Sequence, residues 1–392
     1  MANEFTQFYL PTSQPLSNII PVGGDSVIAS GGLTSQNFAQ GKSGFKFGYD
    51  GEIEINLESG KLRVAGYDII GNLYNLMADG SDGDYTLDAS QAAVTNLFSK
   101  SGTTFTLLRD AYFGTLILPV GFTLKGNGFF PFFKTKFLCD GDYNTNGNNG
   151  GNASAETGGA AGAVAFADAT LFGGKAGKAG ANGKVDTEGN GTAGTTGDNT
   201  TSSLINAAGA YGGRGGNPPV TYSGGARGSG GTTTIAKSQP RVLVYGFLMR
   251  DLATAALTYY QMAAGAGSGG SGGLSDTGGG NKSGAGGGSA SSAGVLAFAA
   301  KELAGSGTIR AVGGIGGNGS ATSGGGVRAG GGGGAGGGAG APIAAFYNKK
   351  TGTVTFSVAG GIGGTGGAGS GAGENGENGQ DGAAGIAYEF QI

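Results

Sequence analysis

Glycines spaced three residues apart are the feature that most limits how this chain can fold. Glycine fills 92 of 392 positions, and the spacing is kept over Gly174 to Gly183, Gly360 to Gly369 and Gly373 to Gly385. A three-residue period is that of a polyproline-II type helix, which has no internal hydrogen bonds. Such helices satisfy their backbone groups only by packing side by side, and glycine permits that close approach. The spacing therefore predicts a bundle of polyglycine-II helices.

Short apolar strands interrupt the glycine runs and distinguish them from a flexible linker. A strand followed by glycines recurs after about 45 to 48 residues, within the range of repeat architectures. We predict a glycine-rich repeat domain over residues 141–392, with repeats at about 294–341 and 342–385 and degenerate copies at about 162–240 and 241–293.

The first part of the chain has a different pattern. Residues 1–45, with scattered prolines, are predicted to form an extended arm or attachment segment, and residues 46–140 a β-rich domain. Alternating apolar residues in Glu52–Leu57 and Lys61–Val64 predict a β-hairpin. Apolar spacing after an acidic start predicts a short helix over residues 88–99.

Residues 103–138 contain the densest strand pattern, with segments at 104–107, 112–118, 122–124 and 129–138 broken by glycine turns. The regular turns favour a β-solenoid or a tight meander. The predicted fold is therefore all-β. It consists of an N-terminal β-sandwich or meander, a β-solenoid-like strand segment and a glycine-rich polyglycine-II/β repeat domain.

The composition excludes several kinds of function. Histidine is absent and Cys139 is the single cysteine, so histidine-dependent general bases, Cys-His nucleophiles and His/Cys zinc sites are excluded. Basic and acidic side chains number 23 and 26, without a basic stripe for nucleic acid or a polybasic membrane patch. We expect no cofactor, no nucleic acid, no membrane insertion and no enzymatic activity, and we expect Cys139 to be a buried strand residue.

Two groups of residues are candidate binding sites. Asp79, Asp82 and Asp84 place carboxylates at alternating or close positions in a turn, which is a candidate calcium site, although an ordinary acidic surface turn is the alternative. Tyrosine and asparagine in breaks between glycine runs are typical of binding loops, and core or interface packing is their alternative role. The candidate receptor-binding residues are Tyr211, Asn217, Tyr222, Tyr259 and Tyr260.

The order of segments resembles a known class of proteins. Residues 108–116 (LRDAYFGTL) and 121–129 (GFTLKGNGF), followed by glycine-rich repeats, resemble glycine-rich tail fibre or spike proteins of tailed bacteriophages. The glycine-rich half is similar to the distal tail-fibre adhesins of T-even-like phages, whose tip is a polyglycine-II bundle that carries variable recognition loops.

This resemblance implies a virion structural protein that binds a host-surface glycan or outer-membrane protein without catalysis. Its partners would be other virion proteins, its oligomer a homotrimer, and its place a tail or surface appendage. The N-terminus lacks a basic segment followed by an apolar one, which favours assembly in the host cytoplasm. The alternatives are a capsid decoration or vertex protein, an ice-binding polyglycine-II protein and a spike depolymerase with paired carboxylates.

Overall fold

The computed structural model describes residues 79–163, 176–183, 192–194, 211–216, 282–323 and 328–391, together with seven strands between residues 20 and 68. The chain divides into two compact units, Met1–Leu76 and Met77–Ile392. The described residues are rich in strands and contain no helix. The predicted all-β class is therefore confirmed for this part of the chain.

The first unit contains an antiparallel sheet of five consecutive strands. These are β1 (Ile20–Val22), β2 (Ser26–Ala29), β3 (Gly32–Ser35), β4 (Gly44–Gly48) and β5 (Ile53–Asn56), and each pairs with the next. Two short strands, β6 (Arg63–Val64) and β7 (Tyr67–Asp68), pair with each other.

The predicted hairpin between Glu52–Leu57 and Lys61–Val64 is wrong in its pairing. The strand Ile53–Asn56 exists, but it pairs with β4, where Phe45 lies opposite Ile55 and Phe47 opposite Ile53. The strand that precedes β5 is five residues long and offers four register pairs, whereas β6, which follows it, has two residues.

The described residues of the second unit form two six-stranded sheets, which we call the long-strand and short-strand sheets. The long-strand sheet is parallel throughout and consists of β8 (Gly83–Thr86), β11 (Ala111–Leu118), β13 (Pro131–Cys139), β15 (Leu296–Gly305), β18 (Ile343–Gly352) and β21 (Ala387–Gln391). The short-strand sheet is parallel apart from its first pair and consists of β9 (Phe98–Ser101), β10 (Thr104–Leu107), β12 (Thr123–Lys125), β14 (Asp142–Asn144), β16 (Thr308–Arg310) and β19 (Thr355–Ser357). A further pair is β17 (Arg328–Ala329) with β20 (Ser370–Gly371).

From β11 onward the chain alternates between the two sheets, and each passage adds one strand to each of them. The strands predicted within residues 103–138 are confirmed as β10, β11, β12 and β13. Gly305 and Gly352 turn the chain from a long strand to a short one with φ of 109° and 98°. Such angles favour glycine, because a Cβ would be strained there.

The hydrophobic core lies between the two sheets. Phe137 in the long-strand sheet is fully buried, and its ring lies 4.4 Å from that of Phe133 and 6.0 Å from that of Tyr143 in the short-strand sheet. Inward-facing side chains alternate with outward ones along β11 and β10. The alternation places phenylalanine and leucine inside, as expected for strands with one buried face.

The predicted helix over residues 88–99 is wrong. The chain forms bends and a tight turn there, and Asp88 accepts hydrogen bonds from the backbone N–H groups of Ser90 and Gln91. The ammonium group of Lys100 donates to the carbonyls of Asp88, Ala89 and Gln91, at 2.7 to 3.2 Å. The hydrogen bonds from the Asp88 side chain to nearby backbone groups are of the kind by which aspartate and serine compete with helix formation.

Cys139 ends β13 and is fully buried, as the sequence predicts. Burial, followed by the nearby Asp142 and Asp140, raises the pKa of its thiol to about 12. Because the thiolate is the reactive form, we expect no reaction with an aromatic disulfide reagent at pH 8 in the folded protein and one equivalent of reaction in denaturant. Rapid labelling of the folded protein would contradict this.

Glycine-rich segments connect the short-strand sheet to the long-strand sheet. Three outgoing segments, 145–153, 311–320 and 358–368, follow β14, β16 and β19. Three return segments, 282–295, 329–342 and 373–386, lead into β15, β18 and β21. We call the ends of these segments that lie away from the sheets the tip. The proposed degenerate repeats at 162–240 and 241–293 lie mostly outside the described residues, so they stay a prediction.

Neighbouring glycine-rich segments are joined by hydrogen bonds at every third residue. The N–H groups of Gly313, Gly316 and Gly319 donate to the carbonyls of Ala359, Ile362 and Thr365, at 2.8 to 3.0 Å. Antiparallel neighbours follow the same spacing, since Gly314, Gly317 and Ser320 donate to Ser291, Gly288 and Ala285. The predicted three-residue period therefore matches the period of the contacts.

Candidate functional site: an asparagine face on the glycine-rich segments

Asparagine side chains cover one face of the outgoing segments. The Oδ1 atoms of Asn146, Asn149 and Asn152 accept hydrogen bonds, each 2.9 Å long, from three backbone N–H groups of the next outgoing segment. The donors are Val312, Ile315 and Asn318. We call this surface the asparagine face. Its three-residue spacing is the same as that of the glycines.

The asparagines complete the hydrogen bonding of the segment that they cover. In 311–320, one set of N–H groups bonds the next outgoing segment, a second set bonds the return segment 282–295, and the third set bonds the asparagines. Every backbone N–H of this segment therefore has a partner. An extended chain without internal hydrogen bonds needs such complete pairing to remain folded.

The pattern continues onto the next layers. Asn318 Oδ1 accepts from the N–H of Thr365 at 2.9 Å. On the last return segment, Asn375 and Asn378 accept from Gly369 and Gly366 in the same way, each at 2.9 Å.

Apolar side chains stand in the same rows as the asparagines. Ile315 is 47% exposed and Ile362 is 63% exposed, and the two belong to hydrogen-bonded neighbouring segments. The surface beside these amide groups is therefore partly apolar.

The tip carries a small polar cluster. Glu156 lies 3.6 Å from the ammonium group of Lys282 and accepts a hydrogen bond from the hydroxyl of Ser323. These two partners, the hydroxyl first, hold the pKa of Glu156 below its usual range. The N–H of Ser323 donates to the carbonyl of Lys282 at 3.2 Å, so the cluster ties a return segment to an outgoing one.

The residues before and after 217–281 both lie toward the tip. Gly216 donates to the carbonyl of Gly331, near the start of a return segment, and Lys282 belongs to the tip cluster. Of the predicted receptor-binding residues, Tyr211 is 45% exposed, and its carbonyl accepts a hydrogen bond from Gln380. The other predicted receptor-binding residues lie outside the described residues, and they are Asn217, Tyr222, Tyr259 and Tyr260.

The predicted calcium ligands are used by the protein itself. Each carboxylate accepts hydrogen bonds from nearby groups: Asp79 from the N–H of Ser81, Asp82 from Arg109 and Tyr112, and Asp84 from the N–H of Thr115. In the part of the chain that the structure describes, no group of three or more His, Cys, Asp or Glu residues could hold a metal ion. Asp82 and Asp84 therefore fasten the start of the second unit to β11 and its preceding turn, and Asp79 closes a local turn at Ser81.

Sequence reasoning did not find the asparagine face. The signal that could have revealed it is the spacing of Asn146, Asn149 and Asn152, which is also that of Asn375, Asn378 and Asp381. A side chain that accepts a hydrogen bond can take the place of a neighbouring backbone carbonyl. Its spacing therefore follows the helix that it covers.

A substitution at Asn149 tests the role of these side chains. With alanine at this position, we expect the free energy of unfolding to fall by about 1 kcal/mol, because the N–H of Ile315 loses its acceptor. Amide hydrogen exchange at Ile315 should become about tenfold faster. Asn149→Asp keeps the acceptor oxygen and is the matched control. Equal exchange in all three proteins would contradict the role.

Comparison with protein-family models, with curated proteins and with solved structures finds no match for this chain. A search of the described residues for a helix long and apolar enough to cross a membrane also finds none.

Proposed function

We propose that this chain is a virion structural protein, a phage tail fibre or spike, that binds the host-cell surface without catalysis. In this proposal the second unit is a β-solenoid whose loops extend into a polyglycine-II bundle. Strand alternation between two mainly parallel sheets supports the solenoid, and hydrogen bonds at every third residue support the bundle. The N-terminal residues 1–45 would attach the protein to other virion proteins.

The asparagine face is the observation that carries the proposal. It holds Ile315 and Ile362 exposed on backbones that are fixed by close packing on several sides. A rigid surface loses little conformational entropy when it binds a ligand, so weak contacts yield more net affinity. Exposed apolar groups in a contiguous patch are typical of interaction sites.

The tip supports the same function. The chain enters and leaves residues 217–281 at Gly216 and Lys282, both of which lie toward the tip. Four of the predicted receptor-binding residues fall within that stretch. A homotrimer would present three copies of each contact, and multivalency strengthens attachment without any new contact.

The test is adsorption of phage particles to host cells. An antibody against the recombinant protein should label the tail or a surface appendage and should block adsorption, and the protein should be a trimer. Ile362→Asp on the asparagine face should weaken cell binding about tenfold, which corresponds to about 1.4 kcal/mol. Ile386→Asp is the matched control, since Ile386 is also exposed, at 45%, but lies on a return segment.

The proposal fails if the protein is a monomer and the antibody neither labels particles nor blocks adsorption. Label on the capsid, without any effect on adsorption, would instead support a decoration or vertex protein. Shortening of host polysaccharide by the protein would support a depolymerase.

Ice binding is a second candidate that one observation favours. Asn149, Ile315 and Ile362 belong to rows that repeat every three residues, or about 9 Å in a helix of this type, on a face held by regular hydrogen bonds. An assay of ice recrystallisation separates the candidates. Normal growth of ice grains in the presence of the protein would dismiss this function.

A further inference from the structure

A polar pocket of about 190 Å³ lies where the glycine-rich layers begin. It is lined by Lys125, Asn127 and residues 144–148. After β12 the chain turns back at Gly126, whereas after β14 it continues outward into the first outgoing segment. The pocket lies between the turn that follows β12 and the start of the first outgoing segment, and it is separate from the tip.

Four polar atoms of the lining residues have no hydrogen-bond partner within the described part of the chain. Two are donors, the ammonium group of Lys125 and Nδ2 of Asn146, and two are acceptors, Oδ1 of Asn127 and Oδ1 of Asn144. The other side-chain atoms of the asparagines are used: Asn127 Nδ2 donates to the carbonyl of Leu107, Asn144 Nδ2 donates to Asp142, and Asn146 Oδ1 accepts from Val312. The protein therefore holds each amide in place and leaves one end of it available.

The charges near the pocket leave Lys125 uncompensated. Asp142, which precedes the lining residues 144–148 in the chain, is paired with Arg310 at 2.5 Å and with Asn144 at 2.5 Å. No acidic residue lines the pocket. A ligand with one carboxylate would make a charge-assisted hydrogen bond with Lys125 that is stronger than a bond between neutral groups.

The two acceptors narrow the ligand class further. Sulfate has no donor and the hydrogen phosphate dianion has one, so either ion would leave at least one of the oxygens of Asn127 and Asn144 unpaired, whereas sugar hydroxyls both donate and accept. The volume corresponds to about six water molecules, which is the scale of one sugar ring. No aromatic ring lines the pocket to stack on a neutral sugar, so charge must supply much of the affinity.

We infer that this pocket binds one acidic sugar unit, of the uronic acid class, with the carboxylate at Lys125 and the hydroxyls on Asn127, Asn144 and Asn146. This inference deepens the proposed function and rests on it, since the source of the sugar would be a host-surface glycan. A single sugar in a shallow polar site binds with a Kd of about 1 mM. Several copies in an oligomer would raise the strength of attachment to a polymeric glycan.

The test is titration of the full chain, followed by NMR, with methyl glucuronide, methyl glucoside and inorganic phosphate. Methyl glucuronide should bind about tenfold more tightly than either of the others. Lys125→Gln, which removes the charge, should abolish the preference. Asn146→Asp keeps the acceptor for Val312 and places a carboxylate beside Lys125, so it should also abolish binding. Lys349→Gln, an exposed lysine of β18, is the matched control.

Several results would overturn the inference. These are equal binding of the two glycosides, equal binding of phosphate, loss of binding in Lys349→Gln, and no binding of methyl glucuronide at ten times the expected Kd. Comparison with the adsorption assay separates the two proposals. Cell binding without uronide binding would refute the pocket alone, and uronide binding without cell or virion binding would refute the proposed function alone.

Discussion

Replacement of Gly334 by alanine is expected to destabilise the second unit by about 3 kcal/mol or more. A Cβ on Gly334 would lie 2.5 Å from the carbonyl carbon of Gly364 and 2.9 Å from that of Thr365. These are backbone atoms of the adjacent outgoing segment, which is held by its own hydrogen bonds. The clash cannot be relieved by rotation of a side chain, so neighbouring segments must separate.

Calorimetry of the thermal transition measures this effect, and Gly121→Ala is the control. Gly121 has φ of 84° and no atom within 4 Å of a Cβ built on it, so alanine there should cost only the strain of a left-handed conformation, about 1 kcal/mol. Equal decreases in the two variants would show that the glycines of the bundle are not required for close packing.

Replacement of Phe137 by alanine is expected to lower the free energy of unfolding by about 3 to 5 kcal/mol. Phe137 is fully buried, stacks on Phe133 at 4.4 Å and meets Phe298 and Tyr143 edge to face at 5.9 and 6.0 Å. Strands that are fixed by parallel pairing cannot collapse into the cavity. Urea unfolding followed by circular dichroism measures the loss.

The Tyr143→Phe variant should be measured beside Phe137→Ala, because it removes a buried hydroxyl and keeps the ring. The hydroxyl of Tyr143 is buried and has no hydrogen-bond partner within the described residues, and burial raises the pKa of this group well above its usual value. Removal of an unpaired buried hydroxyl should increase stability by about 1 kcal/mol, while the ring contacts remain. A decrease for Tyr143→Phe would show that the hydroxyl has a stabilising role.

The sequence predicts the parts of this fold that depend on local periodicity. The four strands within 103–138 follow from alternation and glycine turns, and the three-residue contacts follow from the glycine spacing. Strand pairing depends on residues that are distant in the sequence, and the sequence predicts it less well. β5 pairs with β4 instead of the segment that follows it, and residues 88–99 form bends because Lys100 binds their carbonyls.

The residues of the candidate site are harder to predict from the sequence than the strands, because their hydrogen-bond partners lie far away along the chain. A tyrosine in a glycine-rich break, such as Tyr211, is conspicuous by its residue type. The role of Asn149 depends on a backbone N–H at Ile315, far along the chain, and no local pattern specifies that partner. The pocket likewise combines Lys125 with Asn144 and Asn146 only because β12 pairs with β14, which leads into the first outgoing segment.

The layered register has a consequence for how such a protein can change in length. Leu296 lies opposite Ile343, and Gly305 lies opposite Gly352, so each layer repeats the contacts of the one before it. A duplicated layer would bring its own strands and glycine-rich segments and would contact only its two neighbours. Whole layers can therefore be gained or lost as units, whereas the insertion of a single residue into a glycine-rich segment would shift every later contact out of phase.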